Sequence, residues 1–200
     1  MFPEDVNYNI FSFFLIEGKP GKEKIEKIFQ RLVERHDAFR TALKLVDNQV
    51  VQFIYDRVDF SVEYSRAEEG QIDAIKRRFI RPFDLSRASF LRVGLVEIGE
   101  NKDLFMIDMH HIISDLVSSG ILVNEFLRLL REKELLPLRL HYKDYAAWET
   151  RFLETETYKK QKQYWLDNFS GRLPTLDLST DYPRPAKTDL KGKSITLKLP

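Results

Sequence analysis

The stretch "FMIDMHHIISDLVSSG" (Phe105–Gly120) holds two of the chain's four histidines side by side, with an aspartate four residues after the second. To its left lies an apolar run of strand character. To its right, from about Ser114 to Lys133, lies a helix apolar nearly all round, with Leu116, Val117, Ile121, Leu122, Val123, Phe126, Leu127, Leu129 and Leu130. Such a helix belongs inside a larger body. Side chains alternate along a strand, so Asp108 and His110 share one face and His111 points to the other. The strand is expected to end near Ile112. Ser114 is a suitable helix N-cap, and Asp115 in the first turn is favoured by the helix dipole. His111 and Asp115 therefore meet at a strand-to-helix seam.

Working outward, "YNIFSFFLIEG" (Tyr8–Gly18) reads as a core strand. The next segment carries Ile25, Ile28, Phe29, Leu32 and Val33 at helical spacing. "RTALKLVDNQVVQFIY" suggests two strands about Asp47 and Asn48, and "FSVEYS" a short strand. A helix should follow and stop before Pro82. "SFLRVGLVEIGENKDLFMIDMHHI" reads as a hairpin turning at Gly99–Asn101. Two more helices surround a break near Glu154–Tyr158. From Ser170 the composition is that of a linker, and "ITLKLP" opens a new strand. Strands interleave with helices, so the fold class is α/β or α+β.

Composition bounds the function. The 200 residues carry 43% apolar residues and fifteen phenylalanines, which suffice for a core. Charged residues balance to a net +1, which argues against a nucleic-acid binder. The absence of cysteine excludes disulfides and thiolate metal sites. No apolar run is long enough for a membrane span, and a cytoplasmic location is expected.

Three roles compete for the histidine pair. His110 can be a packed core residue beside an ordinary helix start. Asp108, His110, His111 and Asp115 are possible metal ligands, but alternation sends the two imidazoles apart, so no metal is expected. The third role is a general base, for which imidazole suits neutral pH.

"MHHIISDLVSS" resembles the His-His-x-x-x-Asp-Gly signature of the condensation domains of nonribosomal peptide synthetases. "RHDAFRTAL" (Arg35–Leu43) and "YKDYAAWE" (Tyr142–Glu149) resemble two further motifs of that family, in the same order. "LPTLDLSTDYPRPAKTDLKGKS" resembles its inter-lobe linker. The resemblance implies a chloramphenicol-acetyltransferase-like lobe, a mixed sheet flanked by helices. It implies residues 1–169 as the N-terminal lobe without its first strand and helix, and 170–200 as the linker and first strand of a C-terminal lobe. It also implies amide formation between aminoacyl or peptidyl thioesters. Those thioesters are held on 4'-phosphopantetheine by partner donor and acceptor carrier domains, so no cofactor is bound by this chain. An adenylation domain and the C-terminal lobe would lie in the parent chain. The isolated lobe should then be inactive, with apolar faces open to self-association.

By the same resemblance, His111 accepts a proton from the attacking amine or holds that amine in line. His110 and Asp115 support the site, with Arg40, ahead of Arg35, as the expected buried partner of Asp115. Ser114 and Leu116 are candidates to line the tunnel. Tyr142, Tyr145 and Trp148 are expected to pack in the core. Leu116 departs from the family's glycine, which suggests either a residue turned into the core or one projecting beside His111 and shielding it. The latter is the expected orientation, because Leu116 falls in the first helical turn. The rivals are a noncatalytic docking platform, an epimerisation lobe and an acyltransferase using coenzyme A thioesters. The last is disfavoured by the two flanking motifs.

Overall fold

A computed structural model describes residues 6–175 and 178–183. The described residues divide into two compact units, with the boundary between Ala147 and Trp148 inside a helix.

The first unit is built around one sheet. Strand β1 (Asn9–Glu17) is followed by helix α1 (Lys22–Arg35) and a 3₁₀ turn over Asp37–Arg40. Strands β2 (Thr41–Val46) and β3 (Gln49–Ile54) form a separate hairpin. Both turn residues, Asp47 and Asn48, have positive φ, as a tight two-residue hairpin turn requires. Strand β4 (Glu63–Arg66) and helix α2 (Ile72–Phe79) precede the long hairpin of β5 (Leu91–Ile98) and β6 (Lys102–His110). Helix α3 (Leu116–Leu130) completes this set, and α4 (Tyr142–Phe152) leads into the second unit. The main sheet runs β1-β6-β5-β4, antiparallel except for the β4–β5 pair. A mixed sheet with helices on both faces is the expected class.

Alternation divides the sheet into two buried faces. Phe105, Ile107 and Met109 of β6 join Leu91, Val93 and Leu95 of β5 against α1 and α3. Leu104, Met106, Val96 and Ile98 point the other way, against Phe79 of α2. All five apolar residues expected on the inner face of α1 are buried. At the centre, Phe29, Phe105 and Phe126 meet with ring centroids 5.3–5.9 Å apart, in the offset and tilted arrangements that aromatic quadrupoles favour.

Several expectations shift. β1 is not a core strand. Among the described residues it pairs only with β6, leaving Phe11, Phe14 and Leu15 exposed. β4 begins at Glu63 rather than Phe60, and α5 (Glu156–Asn168) opens after a break over residues 153–155. Tyr142 and Tyr145, expected in the core, are exposed. In the second unit Trp148 stacks on Phe152, yet it too remains exposed. Within that unit α5 is capped by Thr155, whose hydroxyl accepts from the Tyr158 amide, and Trp165 stacks on Phe169. The expected strand "ITLKLP" lies outside the described residues.

Gly94 sits where β5 passes under two buried side chains. A Cβ there would lie 2.6 Å from Met106 Cε and 2.8 Å from a Phe79 ring carbon. Both side chains are buried, so they must shift to make room. Gly94→Ala is expected to destabilise the fold by about 1–3 kcal/mol in a denaturant melt. An unchanged midpoint would show that this face repacks freely.

Candidate functional site

β6 ends at His110, and a short turn leads to α3. The two histidines part here. His110 is buried, 7% exposed, among the rings of Tyr8, Phe83 and Phe90. Its Nδ1 accepts a hydrogen bond from the Ile112 amide at 3.1 Å. An amide can only donate, so Nδ1 carries no proton and the ring is neutral. Burial, and secondarily the charge of His111, lower its pKa, consistent with that state. His110 is therefore a packed, main-chain-bound residue. His111 is exposed, with its own amide donating to the Tyr8 carbonyl at 2.7 Å. Its imidazole is thus displayed at the surface from a backbone pinned on both sides.

Asp115 supplies the N-cap of α3, not Ser114. Its carboxylate accepts from the Ser118 amide and hydroxyl, each at 2.7 Å. Those bonds hold its pKa below the ordinary aspartate range. A carboxylate serves better than the preceding hydroxyl, because its charge also meets the positive end of the helix. Ser114 is buried, its hydroxyl 3.4 Å from that of Ser119, so it lines no open surface.

The expected Asp115–Arg40 pair does not form. All five guanidinium donors of Arg40 are used elsewhere. They reach the carbonyls of Val33, Glu34, Tyr55 and Asp56 and the carboxylate of Asp37. Burial would raise the Asp37 pKa, but Lys143, His141 and Arg40 outweigh it and hold it low. Arg35 is no solvated helix residue either. It donates to Glu125 of α3, which also takes His36 Nε2 at 2.6 Å. The "RHDAFRT" segment thus ties the end of α1 to α3 and to the start of α4. It supports the site through the scaffold rather than by touching Asp115.

A second buried ion pair lies within the sheet. Asp108 is 0% exposed and bonds Arg92 Nη1 at 2.6 Å. Asn9 Nδ2 donates to both Asp108 oxygens, at 3.0 and 2.9 Å. Considering Asp108 only as a metal ligand missed this role. The signal was legible, since alternation puts it on the same buried face as Met106 and His110. Arg92, Asn9 and Glu125 carried no local mark. No group of three or more potential metal ligands occurs among the described residues.

Leu116 opens α3 and is 89% exposed. The core orientation is excluded. Leu116 keeps most of its side-chain surface open. It stands with Gly120, Val123 and Leu127 along an open groove that also carries Arg128 and Arg131.

A family model described as "Condensation domain" matches residues 1–200. The chain belongs to the condensation-domain family. Tyrocidine synthase 3 of Brevibacillus parabrevis is 44% identical over 187 residues, covering 94% of this chain and 3% of that protein. Surfactin synthase subunit 1 of Bacillus subtilis (strain 168) is 41% identical over 194 residues, 97% of this chain and 5% of that protein. The condensation chain therefore spans a small part of these relatives. Among solved structures, the X-domain in complex with OxyB from teicoplanin biosynthesis superposes with TM-score 0.79 at 24% identity, covering 90% of this chain and 42% of that one. The epimerization domain from the third module of tyrocidine synthetase B gives 0.76 at 21%, covering 90% and 44%. The fold is the chloramphenicol-acetyltransferase-like lobe. No helix among the described residues is long and apolar enough to cross a membrane.

The cap makes an acid-side prediction. The Asp115 pKa is depressed in the folded state, so its contribution is present above the unfolded pKa and lost as pH falls through the folded one. Asp115→Ala should lower the melting temperature at neutral pH by a few degrees, far less than opening a buried pair. Asp115→Asn should keep most of the cap and flatten the stability loss below the ordinary aspartate range. A collapse of the fold in Asp115→Asn at neutral pH would point instead to an essential ionic partner.

Proposed function

We propose that this chain is the histidine-bearing lobe of a condensation domain in a nonribosomal peptide synthetase. The complete two-lobed domain forms amide bonds between aminoacyl or peptidyl thioesters that carrier domains present on phosphopantetheine. Residues 1–169 serve as the lobe and 170–200 as linker and first strand of a second lobe. The observation that carries this reading is the split of the motif pair, with His110 buried and neutral and His111 displayed beside the capped N-terminus of α3. His111 is then free to meet the attacking amine. It either takes the proton or holds the nitrogen in line with the thioester carbonyl. The nucleophile gains from orientation in both cases, because both reactants arrive tethered.

A second reading is a docking platform without catalysis. Leu116 favours it, since an exposed leucine stands where the family motif has glycine. A bulky apolar group there can obstruct an incoming pantetheine arm without touching His111.

The test uses the two-lobed domain with a matched pair of loaded carrier domains. His111→Ala is expected to reduce condensation at least about 100-fold. His111→Gln retains a hydrogen-bonding group but not the base. A Gln form that recovers most of the rate assigns positioning, and one as slow as Ala assigns proton transfer. Undiminished turnover in His111→Ala would end the assignment of His111 as the base or positioning residue. Leu116→Gly is expected to be faster by at least about tenfold, which requires only about 1.4 kcal/mol of barrier. Equal rates would show that the leucine is no obstacle and remove the docking reading's main support.

A further inference from the structure

The cluster beneath the histidine pair serves the site as well as the fold. Asp108 precedes His110 by two residues on the same face of β6. It is wholly buried, and its two oxygens are shared between Arg92 on β5 and Asn9 at the first position of β1. Asn9 also donates to the Arg81 carbonyl at 3.0 Å. Arg92 reaches the same carbonyl and that of Phe79, both at 3.2 Å, and its guanidinium stacks 4.3 Å over the Phe83 ring. One carboxylate thus holds β1, β5 and the segment after α2.

Each of those partners continues into a group that touches the histidines. The residue before Asn9 is Tyr8, whose carbonyl receives the His111 amide and whose ring stacks on His110 at 6.1 Å. Phe83, under Arg92, meets the His110 ring edge-on at 6.3 Å. A shift of Asn9 by one hydrogen-bond length would move the acceptor of the His111 amide by a similar amount.

The energetics argue against a purely stabilising role. Burial pushes the Asp108 carboxyl up and the Arg92 guanidinium down, each toward its uncharged form, despite their contact. Desolvation therefore offsets much of the attraction, as is common for buried pairs. What such a pair supplies is a fixed register, because the alternatives leave a charge unpartnered.

We propose that Asp108 is a positioning residue for His111, acting through Asn9 and the Tyr8 carbonyl, with Arg92 as its counter-charge. It touches no substrate. This rests on the condensation reading given above, and it adds residues that the motif pair does not include.

The experiment uses the full synthetase with its carrier domains and the variants Asn9→Ala, Asp108→Asn, the double variant and His111→Ala. Asn9→Ala keeps both partners of the Asp108–Arg92 pair and removes the Asn9 side-chain bonds to Asp108 and to the Arg81 carbonyl. Its kcat is expected to fall at least about tenfold, with KM for the carrier-bound acceptor within about twofold and the melting temperature within a few degrees. The double variant should be no slower than the slower single variant, because both break one connection. The His111 ring carbon–proton NMR signal should shift or broaden in Asn9→Ala while the core phenylalanine signals hold. If Asp108→Asn does not fold, Asn9→Ala and the His111 signal decide alone. Unchanged kcat and an unmoved His111 signal overturn the proposal, provided His111→Ala is slow. Losses that follow only KM or thermal stability overturn it too. A fast His111→Ala refutes the catalytic role of His111 on which this proposal rests.

Discussion

Strand β6 is held on every side, and the site depends on that confinement. Both its edges are hydrogen-bonded, to β1 and to β5. Both its faces are covered, one by α1 and α3 and the other in part by Phe79 of α2. A strand with no free edge and no free face cannot slip, because a one-residue shift would exchange its two apolar sets and strand Asp108 among phenylalanines. The position of His110 and His111 at its end is a consequence of that. The chain then leaves the sheet and enters α3 within five residues, so the exposed imidazole and the helix cap inherit the same fixed origin.

The charges in this unit serve junctions rather than surface solubility alone. Arg40 binds four carbonyls and Asp37 where α1 gives way to β2. Glu125 gathers Arg35 and His36 where α1 crosses α3. Asp108 joins three segments below the histidines. At two of these junctions an arginine, Arg40 or Arg92, also donates to several main-chain carbonyls. A guanidinium suits that task, since its five donors diverge in a plane and none needs a proton removed.

Periodicity made much of the fold legible. The inner face of α1, the β5–β6 hairpin, the tight turn at Asp47–Asn48 and the end of α2 before Pro82 all follow from local patterns. The edge position of β1 did not, because an aromatic run looks the same whether one side or both are covered. The split of the histidine pair was legible from alternation alone. The partner of Asp115 was not. An N-cap bond needs only a neighbour three residues on, and sequence spacing gives no sign that the donors of Arg40 are already satisfied by carbonyls. Ser114 reads as the cap in the sequence because serine and aspartate both serve there, and the choice turns on one residue of phase.

The pairing of β1 with β6 also bears on how the chain reaches this state. Asn9 and Asp108 are 99 positions apart, whereas β5 and β6 are joined by a turn of a few residues. Closing the short hairpin costs little chain entropy, and the long closure costs more and is rewarded only once the intervening helices are in place. The hairpin bearing the histidines is therefore expected to form early, with the bond from the His111 amide to the Tyr8 carbonyl among the last to close. A chain emerging N-terminus first would hold β1 unpaired until β6 arrives, an exposed edge rich in phenylalanine during synthesis. The same strand that fixes the imidazole is thus the segment for which chaperones and misfolding would compete longest.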